Sequence, residues 1–138
     1  MNANEPISTI MSKKVIVANQ FHNFSQVLKL FSEFPIHHLP IVDGKNHILG
    51  IISSNDVMRL FLNPKYQDLK LNLDELDKAI NLSDIMTPNP VTVEPTETIQ
   101  NVARILAQQR FQAMPVTKDG EVVGIVSVKD IAELVATD

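Results

Sequence analysis

The feature that most constrains this chain is an internal repeat. Ile7-Ser8-Thr9-Ile10-Met11-Ser12 aligns with Leu82-Ser83-Asp84-Ile85-Met86-Thr87, an offset of 75 residues from position 11 to position 86. The same offset carries Val27 onto Val102 and Pro40 onto Pro115 without a gap. Further on, Gly50-Ile51-Ile52-Ser53-Ser54-Asn55-Asp56-Val57 matches Gly124-Ile125-Val126-Ser127-Val128-Lys129-Asp130-Ile131 at an offset of 74, from 50 to 124. The lost residue falls between Asp43-Gly44-Lys45-Asn46 and Lys118-Asp119-Gly120-Glu121, two glycine-containing turns, where a change of length leaves the strand register intact. Two ordered copies of one pattern mean two copies of one structural unit.

Each copy has readable periodicities. Asn23 and Thr98 are placed to cap a helix, with Val27, Leu28, Phe31 and Phe34 on one face in the first copy and Ile99, Val102, Ala103 and Leu106 in the second. Gln26, three residues after Asn23, completes the spacing of a capping box. Short strands are expected at Val15–Val17 and Val91–Val93, then strand pairs at 39–42 with 48–52 and 114–117 with 122–126. A second helix is expected to start near Asp56 and near Asp130. The predicted fold class is therefore α+β, two tandem β-α-β-β-α repeats that pack about a pseudo-twofold axis, because neither unit alone covers both faces of its sheet. The expected repeats are 1–62 and 81–138. Between them, 63–80 holds Pro64 and then Leu69, Leu73, Leu76 and Ile80 at helical spacing, a helix packed on its own domain or turned towards a partner.

Composition excludes several functions. Without cysteine there is neither a disulfide framework nor a thiolate metal site. A net charge of −4 and the lack of a Lys/Arg block argue against a nucleic-acid surface. The polar stretch Met1–Pro6 lacks the layout of a secretory signal, and no apolar run approaches the roughly 20 residues of a membrane span, so a cytoplasmic protein with no membrane insertion is expected. The chain has no phosphate-cradling G-x-x-x-x-G-K-[ST] loop and no G-x-S-x-G elbow, and His22, His37, His38 and His47 show no H-E-x-x-H spacing. Neither an enzyme nor a metal site is expected.

The S-x-I-M-[ST] strings at Ser8 and Ser83, the strands "LPIV" and "MPVT", and the G-h-h-S-x-x-D-h runs from Gly50 and Gly124 together resemble the CBS domain family, and a pair of them in one chain resembles a Bateman module. The resemblance spans residues 6–62 and 81–137. It implies a binding module for AMP, ADP, ATP or S-adenosylmethionine that regulates an enzyme, channel or transporter, and that associates as a homodimer. By position it puts the ribose on Asp56 with Ser53 and on Asp130 with Ser127, and the adenine between the repeats. A carboxylate at a helix start suits this chemistry, since it accepts hydrogen bonds from both ribose hydroxyls; Asp and Ser are also ordinary helix caps, and the two roles are compatible. Where the family pattern has a His-Arg pair for the phosphates, this chain has His37-His38 in one copy and Gln112-Ala113 in the other, so the two sites should differ. Adjacent residues on a strand point oppositely, so one histidine is expected to face the site. Imidazole lacks the permanent charge and fork of guanidinium, which weakens its hold on phosphate. Arg110 and Lys129 are the cations nearest the second site in sequence. The competing expectation is a dimerising scaffold with no ligand.

Overall fold

The computed structural model describes residues 2–66 and 72–137, so Met1 and Leu69, the first leucine expected on the connecting helix, lie outside the described residues. Two compact units emerge, one formed by Ile16–Asn89 and the other by Met1–Val15 together with Pro90–Asp138. The sequence repeats and the compact units are thus cut at different places. Each lead-in segment, Ile7–Ser12 or Leu82–Thr87, packs with the sheet of the other copy. Ile7 is fully buried in a cluster with Val102, Met114 and Val126, and Leu82 joins Val27, Leu39 and Ile52.

In the unit Ile16–Asn89 the strand β1 (Ala18–Asn19) is followed by α1 (Phe24–Glu33), then β2 (His38–Val42), β3 (Ile48–Ser53) and α2 (Ser54–Leu62). The helices α3 (Leu73–Ala79) and α4 (Leu82–Ile85) and the strand β4 (Thr87–Pro88) complete it. The sheet order is β1-β2-β3-β4, with β1 parallel to β2 and the other pairs antiparallel. Helix α1 starts where its cap dictates: Asn23 Oδ1 accepts from the Gln26 N–H, and Gln26 Oε1 accepts from the Asn23 N–H, both at 2.9 Å. It ends before Pro35, whose ring disfavours helical geometry at Phe34. Phe34, expected on the apolar face, is consequently the C-cap and is 37% exposed. Phe24, at the first helical position, is fully buried instead, packed with Leu60, Leu76 and Ile80. Full burial of side chains of this size stabilises by about 1.5–3 kcal/mol each. Helix α3 is fastened to its own unit through Leu76 and Ile80, and through Asp77, which accepts from the Ser25 N–H and hydroxyl at 2.7 and 2.6 Å.

The second unit repeats the plan with α5 (Ile99–Gln109), β5 (Ala113–Lys118), β6 (Glu121–Ser127) and α6 (Val128–Ala136). The expected first strand is displaced in the first copy, and in the second it is reduced to one bridge at Val93. Pairing occurs at Ala18↔Ile41 and, as a single bridge, at Val93↔Val116, while Val15–Val17 is unpaired. Ala18 is too small to stand out as apolar, yet it is fully buried. The two hairpins carry the same irregularity, between Ile41 and Val42 and between Val116 and Thr117. They differ at the turn, where the sequence loses one residue. Asp119 and Gly120 form a two-residue turn with φ of 53° and 83°, whereas in the longer turn the left-handed residue is Asn46, at φ 65°, and not Gly44.

Glycine is required once in each sheet for a different reason. A Cβ on Gly50 would lie 2.6 Å from Met86 Sδ and 3.0 Å from the Thr87 carbonyl oxygen; a Cβ on Gly124 would lie 2.5 Å from Met11 Sδ. The lead-in methionine of each unit lies directly on the strand glycine.

Candidate functional site

Ser53 ends β3 and caps α2, so the strand-to-helix corner holds Ser53 and Asp56 together. Asp56 Oδ2 accepts from the Ser53 N–H at 2.7 Å, and Ser53 Oγ accepts from the Asp56 N–H at 3.1 Å. Both residues are half-buried. Each carboxylate of Asp56 and Asp130 keeps Oδ1 without a protein hydrogen bond among the described residues. The strand β2 brings the histidines to the same corner. His38 is the register partner of Ser53, and the His37 carbonyl accepts from the Ser54 N–H at 2.9 Å. His37, just before β2, is exposed, and His38, the first residue of β2, is half-buried. Burial lowers the pKa of His38 below its ordinary 6.5, the charge of His37 lowers it further, and the Asp56 carboxylate opposes both. His38 is therefore neutral near pH 7 and meets a ligand as a hydrogen-bonding imidazole, without a full charge.

The second unit reproduces the corner with different chemistry. Asp130 Oδ2 accepts from the Ser127 N–H at 2.8 Å, and Ser127 Oγ accepts from the Asp130 N–H at 3.2 Å. Ala113 is the register partner of Ser127, and the Gln112 carbonyl accepts from the Val128 N–H at 2.9 Å. Gln112 and Ala113 thus stand where His37 and His38 stand in the other unit. Lys129 is 82% exposed and pairs with Glu133 at 3.7 Å along α6, and Arg110 is the exposed, left-handed C-cap of α5. Among the described residues neither makes a hydrogen bond or ion pair with Asp130. Among the described residues no three His, Cys, Asp or Glu side chains gather as a metal site.

All six residues singled out in the sequence fall at these two corners, Ser53, Asp56, His37 and His38 at one, Ser127 and Asp130 at the other. Sequence reasoning missed the Met86–Gly50 and Met11–Gly124 contacts. Their signal was present, since both the methionine and the glycine recur at matching places in the repeat.

Comparison with known proteins gives the architecture a family. The model of the CBS domain matches residues 7–63 and 82–137. A CBS domain-containing protein of Dictyostelium discoideum is 30% identical over 93% of this chain and 89% of its own. An uncharacterised protein of Methanocaldococcus jannaschii is 27% identical over 98% of this chain, which spans 44% of that relative, and the chain spans 24% of the homoserine O-acetyltransferase of Methanohalobium evestigatum, at 28% identity. Among solved structures, a CBS domain pair crystallised with 5′-methylthioadenosine and S-adenosyl-L-methionine superposes with a TM-score of 0.81 at 28% identity, covering 96% of both chains. A CBS-pair protein of Arabidopsis thaliana crystallised with AMP shares the fold at a TM-score of 0.79 and 22% identity, over 96% of this chain and 97% of its own. Among the described residues no helix is long and apolar enough to cross a membrane. With the family model matching both copies of the repeat, the chain belongs to the CBS domain family.

Proposed function

We propose that this chain is a regulatory module that binds an adenosine-containing ligand, AMP, ADP, ATP or S-adenosylmethionine, and conveys its presence to a separate enzyme, channel or transporter. The observation that carries the reading is the duplicated Ser–Asp corner. One oxygen of each aspartate closes the capping box, and the other is left to accept from ribose hydroxyls as a charge-assisted acceptor. The structure solved with 5′-methylthioadenosine and S-adenosyl-L-methionine supports the ligand class.

The two corners then select different ligands. Of His37 and His38, the half-buried His38 adds an imidazole beside Asp56 for a phosphate, whereas in the other unit its place opposite the capping serine is taken by Ala113, which has no polar side-chain group. The Ser127–Asp130 corner suits a ligand without phosphate. Ligand would act by favouring one arrangement of the module over another, to the extent of its differential affinity. Exposed apolar residues on the second helix of each unit, Met58 and Leu62 on α2 and Val135 on α6, support association as a homodimer. A monomer mass by light scattering contradicts that part.

Thermal denaturation with each of the four ligands tests the reading. A ligand at a hundred times its Kd adds about 2.7 kcal/mol of stability, a rise of several degrees. No rise with any of them, in a folded protein, contradicts it and favours the ligand-free scaffold.

A further inference from the structure

Residues directly opposed in an antiparallel pair project from the same face of the sheet. His38 is opposed to Ser53, and Ser53 Oγ turns to the start of α2, where it accepts from the Asp56 N–H at 3.1 Å. The imidazole and the Asp56 carboxylate therefore lie on the same side of the corner, and the carboxylate is near enough to act on the titration of His38. Its Oδ2 is taken by the Ser53 N–H, which leaves Oδ1 as the acceptor that remains.

Charge reaches His38 from two directions. His37, just before its own strand, disfavours a second positive charge, Asp56 on α2 favours one, and β3 faces it with Ser53, which carries none. Burial outweighs the carboxylate, so the imidazole is neutral near pH 7 before a ligand arrives. A phosphate beside it reverses that balance. Carboxylate and phosphate then flank one imidazole, and an opposite charge within about 4–6 Å favours the charged form. Protonated, the ring has two N–H donors and can serve both anions at once. In the other unit Ala113 takes the place opposite the capping serine and Gln112 precedes it, so neither residue titrates between about pH 5 and 8.

We propose that the Ser53–Asp56 corner couples ligand to proton: His38 gains a proton as a phosphate-bearing adenosine ligand binds, so this site tightens as the pH falls through neutrality, while the Ser127–Asp130 corner does not respond. The inference rests on the adenosine reading and adds its regulation. It is tested on the whole chain by NMR titration of the histidine ring resonances from about pH 8 to about pH 5, free, with saturating AMP and with saturating adenosine. AMP is expected to raise the His38 midpoint by about one pH unit, a roughly tenfold preference of the complex for the proton, while adenosine leaves it in place and His22 and His47 stay fixed. The same proton is read by calorimetry in buffers of different ionisation enthalpy. The wild type is expected to take up more proton on binding AMP than His38→Gln, which keeps a donor but cannot be charged. A His38 midpoint unmoved or lowered in the AMP complex, or raised equally by adenosine, overturns the inference and leaves the adenosine reading standing. Absence of any resonance shift with either compound overturns both.

Discussion

At the scale of single residues, Asp56 caps α2 through one carboxylate oxygen and, in the proposed function, keeps the other for ligand. The substitution that separates them is Asp56→Glu. Glutamate at the third helical position is the usual partner of a capping serine, so the box closes and Tm stays near that of the wild type, while the free oxygen is displaced. Ligand affinity at that corner is expected to fall at least about tenfold, the loss of a charge-assisted hydrogen bond of roughly 1.5–3 kcal/mol. Ser53→Ala is expected to lower stability by about 1 kcal/mol in denaturant unfolding, because the Asp56 N–H loses its acceptor. His38 adds a pH dependence. Its unfolded form titrates at the ordinary 6.5 and its folded form lower, so between those values the unfolded state holds more protons and stability falls as pH falls. Below the folded pKa both forms are protonated and the loss stops growing. His38→Gln removes this step, so its Tm is expected to drop less than that of the wild type when the pH is taken from about 7.5 to about 5.5. Ser53, Asp56, Ser127 and Asp130 were legible because a cap is written in consecutive residues. The burial that lowers the pKa of His38 is not, since it comes from residues distant in the chain.

At the scale of elements, the capped helices were the most legible parts, because Asn23 with Gln26 and Thr98 each carry their own start signal. The short parallel strands were the least. The register of β1 is set by its pairing with Ile41 and Val42, and Ala18 shows no apolar signature. The close approach of lead-in methionine to strand glycine was equally hidden in any one segment, though it follows from the repeat once the units are known. It yields a graded prediction. Gly50→Ala must displace both Met86 and the Thr87 carbonyl, whereas the nearest atoms to a Cβ on Gly124 all belong to the flexible Met11 side chain. Overpacking of this kind costs typically 1–3 kcal/mol. Gly50→Ala is expected at the upper end and Gly124→Ala at the lower, measured by urea unfolding. Equal losses would mean that the carbonyl contact does not matter.

At the scale of the whole molecule, duplication accounts for both the resemblance and the difference of the two units. One corner geometry, built twice from the same Ser–Asp spacing, carries two flanking pairs, His37-His38 and Gln112-Ala113, that differ in what they can offer a phosphate. The repeat itself could be read from sequence alone, but the exchange of lead-in segments could not, because Ile7 and Leu82 carry the same pattern and nothing local says which sheet each will cover. The most direct measurement is a calorimetric titration of the purified protein with AMP and with S-adenosylmethionine, repeated on Asp56→Ala and Asp130→Ala. AMP binding is expected to be lost in Asp56→Ala and retained in Asp130→Ala, with the phosphate-free ligand showing the reverse. Binding that survives both substitutions unchanged would show that these aspartates cap their helices and do nothing more.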